Sequence, residues 1–161
     1  MNDTVVEARS AHGLKMVDTL GLRDGVTWLV AESAATPAQA MARLRPWPGM
    51  VLPIVAADAE PAGTALSGWA RACAGKARYV LLFGKHAPRY AEALGQVGGG
   101  VIIVRCADTT DAVQAAARLA HVGDAVVWTP LGTGGGPDDA AYRAAATGWV
   151  LASRTDAWVA A

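Results

Sequence analysis

The sequence predicts an α/β fold: a single-domain, Rossmann-like, three-layer structure with a mostly parallel sheet and an N-terminal β-hairpin. Three observations carry this reading. The runs Val51 to Ala57, Tyr79 to Gly84, Val101 to Val104 and Ala125 to Thr129 are apolar almost throughout, as strands buried on both faces are. Ala-rich stretches of helical length separate them, the alternation that builds a parallel sheet covered on two sides. The 161 residues, 53% hydrophobic, fit one domain at ~100–200 residues each. The expected organisation is an extension over 1–11, a domain over 12–151 and a tail over 152–161.

Leu14 to Leu20 and Val26 to Val30 flank Gly21 to Gly25, where Arg23-Asp24-Gly25 is turn chemistry, and read as the hairpin. Thr36 is the expected N-cap and Pro37 the first residue of a helix that stops near Leu44, before Pro46 and Pro48. Pro53 lacks a donor, which either weakens the case for a strand over Val51 to Ala57 or places that strand near a sheet edge. Helices are expected over Thr64 to Ala74, Ala87 to Leu94, from Asp108 or Thr109 to His121, and near Asp138 to Ala146. Val80, Leu82, Ile102, Val104 and Val126 are expected to be nearly fully buried in adjacent strands. Truncating Ile102 would then cost about 2–5 kcal/mol.

Fourteen Lys+Arg balance fourteen Asp+Glu, so no basic excess points to nucleic acid. No window reaches ~18 uncharged apolar residues and the first residues lack a basic n-region, so neither membrane insertion nor export is expected, and the expected location is cytoplasmic. Cys73 and Cys106 read as buried small apolar residues, and dispersed His12, His86 and His121 show no metal-ligand spacing. With little charge to keep copies apart, a homodimer or a partner protein is expected, with Trp47, Trp149 and Trp158 as interface candidates.

Ligands of open α/β sheets bind at the carboxyl ends of strands. Gly84 and Lys85 follow the most apolar strand, and Thr129 ends the last one. Thr133, Gly134 and Gly135 lie in the glycine-rich loop after it, which reads either as an anion-binding loop or as a connector. No Gly-x-x-x-x-Gly-Lys-Ser/Thr occurs, and Asp138 and Asp139 at the following helix start would repel phosphate.

The order of segments resembles the C-terminal domain of the Mur ligases, most closely the D-glutamate-adding members. That domain opens with Pro-His-Arg-x-Glu, a hairpin and a Gly-Val-x-x-Ile-x-Asp-Ser-Lys-Ala-Thr-Asn segment. The corresponding residues are Ala11-His12-Gly13-Leu14-Lys15, Gly25-Val26-Thr27-Trp28-Leu29-Val30 and Glu32-Ser33-Ala34-Ala35-Thr36-Pro37. Gly123-Asp124, Val126 to Leu131 and Thr147-Gly148 follow the family's later motifs. His12, Ser33, Thr36, Thr129 and one of Asp138 and Asp139 keep a matching residue type, whereas Ala34 stands where the family has its substrate lysine. The Gly-Gly and Lys-Gly loop has become Ala56-Ala57-Asp58-Ala59-Glu60-Pro61. The resemblance implies a stand-alone, degenerate domain that binds a ligand or partner without catalysis and without cofactor. One alternative is the substrate-presenting half of a split ATP-dependent ligase of peptidoglycan precursor synthesis, completed by a Mur-ligase core that brings ATP and Mg²⁺. The other is a small nucleotide-binding protein.

Overall fold

The computed structural model describes residues 17–31, 36–58, 63–129 and 137–160. Strands β1 (Val17–Arg23) and β2 (Val26–Ala31) form the expected hairpin. Its turn is shorter than the sequence suggests: only Asp24 (φ 54°) and Gly25 (φ 77°) sit between the strands, both left-handed, as a two-residue turn matching strand twist requires. Gly21 therefore lies within β1, beside a register shift between Thr19 and Gly21. A side chain there would run into Val150, its Cβ 2.7 Å from that residue's Cγ1.

The remaining elements alternate: α1 (Pro37–Arg43), β3 (Val51–Ala56), α2 (Gly63–Cys73), β4 (Tyr79–Phe83), α3 (Ala87–Val97), β5 (Ile102–Arg105), α4 (Thr109–Leu119), β6 (Ala125–Thr129) and α5 (Pro137–Ala160). Helix α1 starts where the sequence places it. Thr36 Oγ1 accepts from the Gln39 N–H (3.1 Å) and Gln39 Oε1 accepts from the Thr36 N–H (3.0 Å), a reciprocal cap that satisfies two otherwise unpaired donors. Asp108 caps α4 through the Asp111 N–H. Helix α5 runs well past the expected end at Ala146. Among the described residues no helix is long and apolar enough to cross a membrane.

The strand order is β1-β2-β6-β3-β4-β5, with β1 antiparallel to β2 and every other pair parallel. Helices α1, α2 and α3 cover one face, where Met41, Leu44, Trp69, Cys73, Tyr90 and Leu94 pack on Leu29, Val55, Leu82 and Val127. Helices α4 and α5 cover the other, where Val113, Tyr142 and Val150 pack on Trp28, Ile54, Leu81 and Trp128. Tyr142 stacks on Trp128 (centroids 4.9 Å apart, 12° between planes), and its hydroxyl donates to the Leu29 carbonyl at 2.7 Å. One side chain thus ties α5 to both β6 and β2.

Two expectations are corrected. Pro53 does not place β3 at an edge: β3 is central, between β6 and β4. The missing donor is tolerated because the ladder to β4 is interrupted there. Val51 bridges Ala77, and regular pairing resumes only at Ile54 with Leu81, so the partner strand advances by one extra residue across Leu52 and Pro53. The second correction concerns β5. It is an edge strand, and β6 is not adjacent to it. Ile102 is 51% exposed and Val104 only partly buried, whereas Val80, Leu82 and Val126 are fully buried.

Truncation of Leu82 to alanine is therefore expected to cost about 2–5 kcal/mol, and truncation of Ile102 under about 1 kcal/mol, in urea unfolding. Equal losses would place β5 in the interior. Burial pushes the Cys73 thiol up from 9.0 to about 12, so the folded chain keeps a proton that the unfolded chain releases. Its contribution is intact below pH 9 and is lost as pH rises towards about 12. Stability should fall over that range by up to about 1.4 kcal/mol per pH unit more than in Cys73→Ala, measured by denaturation at stepped pH.

Candidate functional site

Helix placement determines where the sheet opens. The chain leaves β2 and β3 towards the α1–α3 face, but leaves β6 towards α5 on the opposite face. Connections diverging from neighbouring strands leave a crevice at the strands' carboxyl ends. The end of β6 is thus flanked by a divergence on each side. Thr129 sits there, opposite Val55 of β3, fully buried, and its hydroxyl finds no partner among the described residues. A buried hydroxyl without a partner is costly, by about 1–3 kcal/mol, unless something completes it.

Gly84, ending β4, lies on the same edge, two strands from β6 and so roughly 10 Å across the sheet. Its φ is +103°, and a Cβ would stand 2.8 Å from the Ala57 carbonyl carbon and 2.8 Å from Asp58 Oδ1. The loops after β3 and β4 are laced together beside it. The Ala57 N–H donates to the Phe83 carbonyl (2.8 Å), and the His86 N–H donates to the Ala57 carbonyl (2.7 Å). Gly84 is there to let these two backbones touch. Asp58, which the sequence reading passed over as a departure from a glycine loop, is brought against it. Only the register of β3 on β4 reveals that neighbour.

Of the other candidates, Lys85 is exposed on this edge and Thr36 is spent on capping α1. His12, Ser33, Thr133, Gly134 and Gly135 lie outside the described residues. Trp47 is corrected as an interface candidate: it is buried in its own domain, and its indole N–H donates to the Gly123 carbonyl at 3.0 Å. Trp149 is half-buried at the opposite end of the sheet, under the Arg23 guanidinium, 3.5 Å from the ring centroid. The side chain of Trp158 lies outside the described residues, although its backbone belongs to α5.

Cys73 is buried, as expected, but Cys106 is only half-buried. Desolvation raises the Cys106 thiol to about 11, helped by Asp111, so it too is a poor nucleophile near neutral pH. Among the described residues no group of three or more His, Cys, Asp or Glu could hold a metal ion.

Gly84→Ala is expected to lower stability by about 1–3 kcal/mol, because alanine meets both a disfavoured φ and backbone atoms that cannot yield. Thermal unfolding checks this; an unchanged midpoint would mean the two loops separate freely.

No protein-family model matches the chain. In sequence it is 31% identical over 114 residues to the UDP-N-acetylmuramoylalanine–D-glutamate ligase of Symbiobacterium thermophilum, a match covering 71% of this chain and 25% of that protein. In structure it is similar to a murein peptide ligase of Psychrobacter arcticus (TM-score 0.58, 13% identity), covering 81% of this chain and 29% of that one. It is also similar to a domain from a protein assigned as a UDP-N-acetylmuramate:L-alanyl-gamma-D-glutamyl-diaminopimelate ligase of Haemophilus ducreyi (TM-score 0.56, 12% identity). That match covers 83% of this chain and 98% of the domain. At those identities the structural likenesses speak for the fold alone. The chain spans about a quarter of the length of the curated relative, and along that quarter its sequence relates it to the Mur ligases.

Proposed function

We propose that this chain is a ligand-binding domain of Mur type, most like that of a D-glutamate-adding ligase, and that it does not perform ligation by itself. The observation that carries the reading is the 31% identity over 114 residues to a UDP-N-acetylmuramoylalanine–D-glutamate ligase. The chain's course is in keeping with it: the connections diverge on either side of β6, where the buried Thr129 hydroxyl has no partner among the described residues, and Gly84 and the Asp58 carboxylate lie at the same end of the sheet. Such groups can accept from an ammonium and donate to a carboxylate of a small amino acid. Against catalysis by these residues alone stand Ala34 in the position of the family lysine and the lack of a Gly-x-x-x-x-Gly-Lys-Ser/Thr sequence. The setting that goes with this role is peptidoglycan precursor synthesis in the cytoplasm.

A second reading is favoured by the residue types kept at His12, Ser33, Thr36 and Thr129. In it the domain presents an amino-acid substrate to a partner core that holds ATP and Mg²⁺. A homodimer is the other association in keeping with a formal net charge of zero.

The purified chain, given ATP, Mg²⁺, UDP-N-acetylmuramoyl-alanine and D-glutamate, is expected to yield neither ADP nor amide product above a protein-free control. D-glutamate alone should bind, and Thr129→Val should weaken it about 3–10-fold, the loss of one hydrogen bond, as read by calorimetry. Product formation by the chain alone would overturn the non-catalytic reading. Binding unaffected by Thr129→Val would move the ligand away from β6.

A further inference from the structure

We propose that β5 is the seam of a homodimer, in which a second copy of this chain lays its own β5 antiparallel beside it and joins two six-stranded sheets into one. The proposal gives the homodimer named above a surface, and it stands apart from the ligand-binding reading. β5 ends the sheet, bonded to β4 on one side and to no strand of the described residues on the other. The Ile102 N–H donates to the Arg78 carbonyl at 3.0 Å and the Cys106 N–H to the Leu82 carbonyl at 2.8 Å, both towards β4. The C=O and N–H of one trans peptide point opposite ways, so the carbonyls of Val101 and Arg105 face away from β4. By the alternation of the ladder, both backbone groups of Ile103 and the Arg105 N–H face away as well. Outward groups at every second residue are what an added strand bonds to.

Three features make a second copy the occupant. First, the outward groups are self-complementary. About a two-fold axis at Ile103, the Ile103 residues of the two copies exchange both their hydrogen bonds, and each Arg105 N–H meets the Val101 carbonyl of the other copy. Second, the side chains match in that register. Ile102 is 51% exposed and shares the α4–α5 face with Val104, two residues on. It comes to stand opposite Val104 of the other copy, and Ile103, on the α1–α3 face, opposite its own image. Apolar thus meets apolar across the seam, and the exposed Arg105 lies at the end of the paired stretch. With a formal net charge of zero, neither copy repels the other. Third, β5 lacks the guards of the opposite edge. β1 carries a register shift between Thr19 and Gly21 and an exposed Asp18 within its length. β5 pairs with β4 without a shift and has neither a proline nor a charge before Arg105. An edge without such devices is a template for another strand.

Sedimentation velocity of the chain over a concentration series should show a monomer–dimer equilibrium with a dissociation constant of about 10–100 μM, as suits a small interface. Ile102→Lys sets a charge on the seam at an exposed position and should weaken the dimer roughly tenfold or more. Should that variant fail to fold, Arg105→Pro removes an outward donor, leaves the ladder to β4 intact and should have the same effect. Cysteines read the register. In a Cys106→Ser background, the Ile102→Cys and Val104→Cys proteins should form a disulfide-linked dimer when mixed under oxidising conditions. A non-hydrogen-bonded pair of this kind sets the two Cα atoms about 4.5 Å apart, within disulfide reach. Neither protein should link to itself, and Cys73, being buried, does not compete. A chain still monomeric at about 1 mM would overturn the proposal. So would growth beyond the dimer, association unchanged in whichever variant folds, or either cysteine protein linking alone.

Discussion

The sheet depends on the insertion of its last strand at its centre. β6 arrives after every other strand yet lies between β2 and β3, and both its faces are buried. Until it docks, the hairpin has no partner in the sheet, because β2 pairs only with β1 and β6. The entry of β6 is correspondingly secured. Asp124, just before it, is buried and accepts from Arg78 at 2.7 Å and from the His121 N–H at 2.9 Å. The Thr27 N–H donates to the Asp124 carbonyl, and the Ala125 N–H to the Met50 carbonyl. Gly123 accepts from Trp47, and Gly49 packs so close to it that a Cβ would run into its carbonyl oxygen. Lys76 donates to the Trp47 carbonyl, and burial lowers its pKa. A buried carboxylate left without Arg78 would be an uncompensated charge.

Most of this fold was legible because its signals are local. Thr36-Pro37 marks a helix start through backbone chemistry that tertiary structure does not override, and Asp24-Gly25 marks a turn through two left-handed residues. What stayed illegible is strand order. Val101-Ile102-Ile103-Val104 is as apolar as Ala125-Val126-Val127-Trp128, yet one strand is an edge and the other the centre. Apolarity reports that a strand can be buried; which neighbours bury it depends on helix connections that no window of sequence contains. Pro53 misled for a related reason. Its missing donor argues against regular pairing on both sides, and the structure resolves that with a local slip in one ladder while the strand stays central.

The candidate site divides along the same line. Gly84 and Thr129 are identifiable as strand ends, and any open α/β sheet makes strand ends suspect. The Asp58 carboxylate against Gly84 and the unpartnered state of the Thr129 hydroxyl emerge only from register and packing. Trp47 illustrates the opposite error. A tryptophan between two prolines near an element's end reads as a surface anchor, yet its donor finds the carbonyl of Gly123, far along the chain.

The two ends of the sheet differ in kind, and topology explains the difference. At the amino end, buried charge, indole and glycine contacts fasten β6 to its neighbours, so the polar groups there answer mainly to one another. At the carboxyl end the chain diverges to opposite faces on either side of β6, and the hydroxyl of the strand's last residue, Thr129, has no partner among the described residues. The same insertion of β6 therefore does both things: it demands a rigid entry, and it places the strand's exit between connections that diverge to opposite faces.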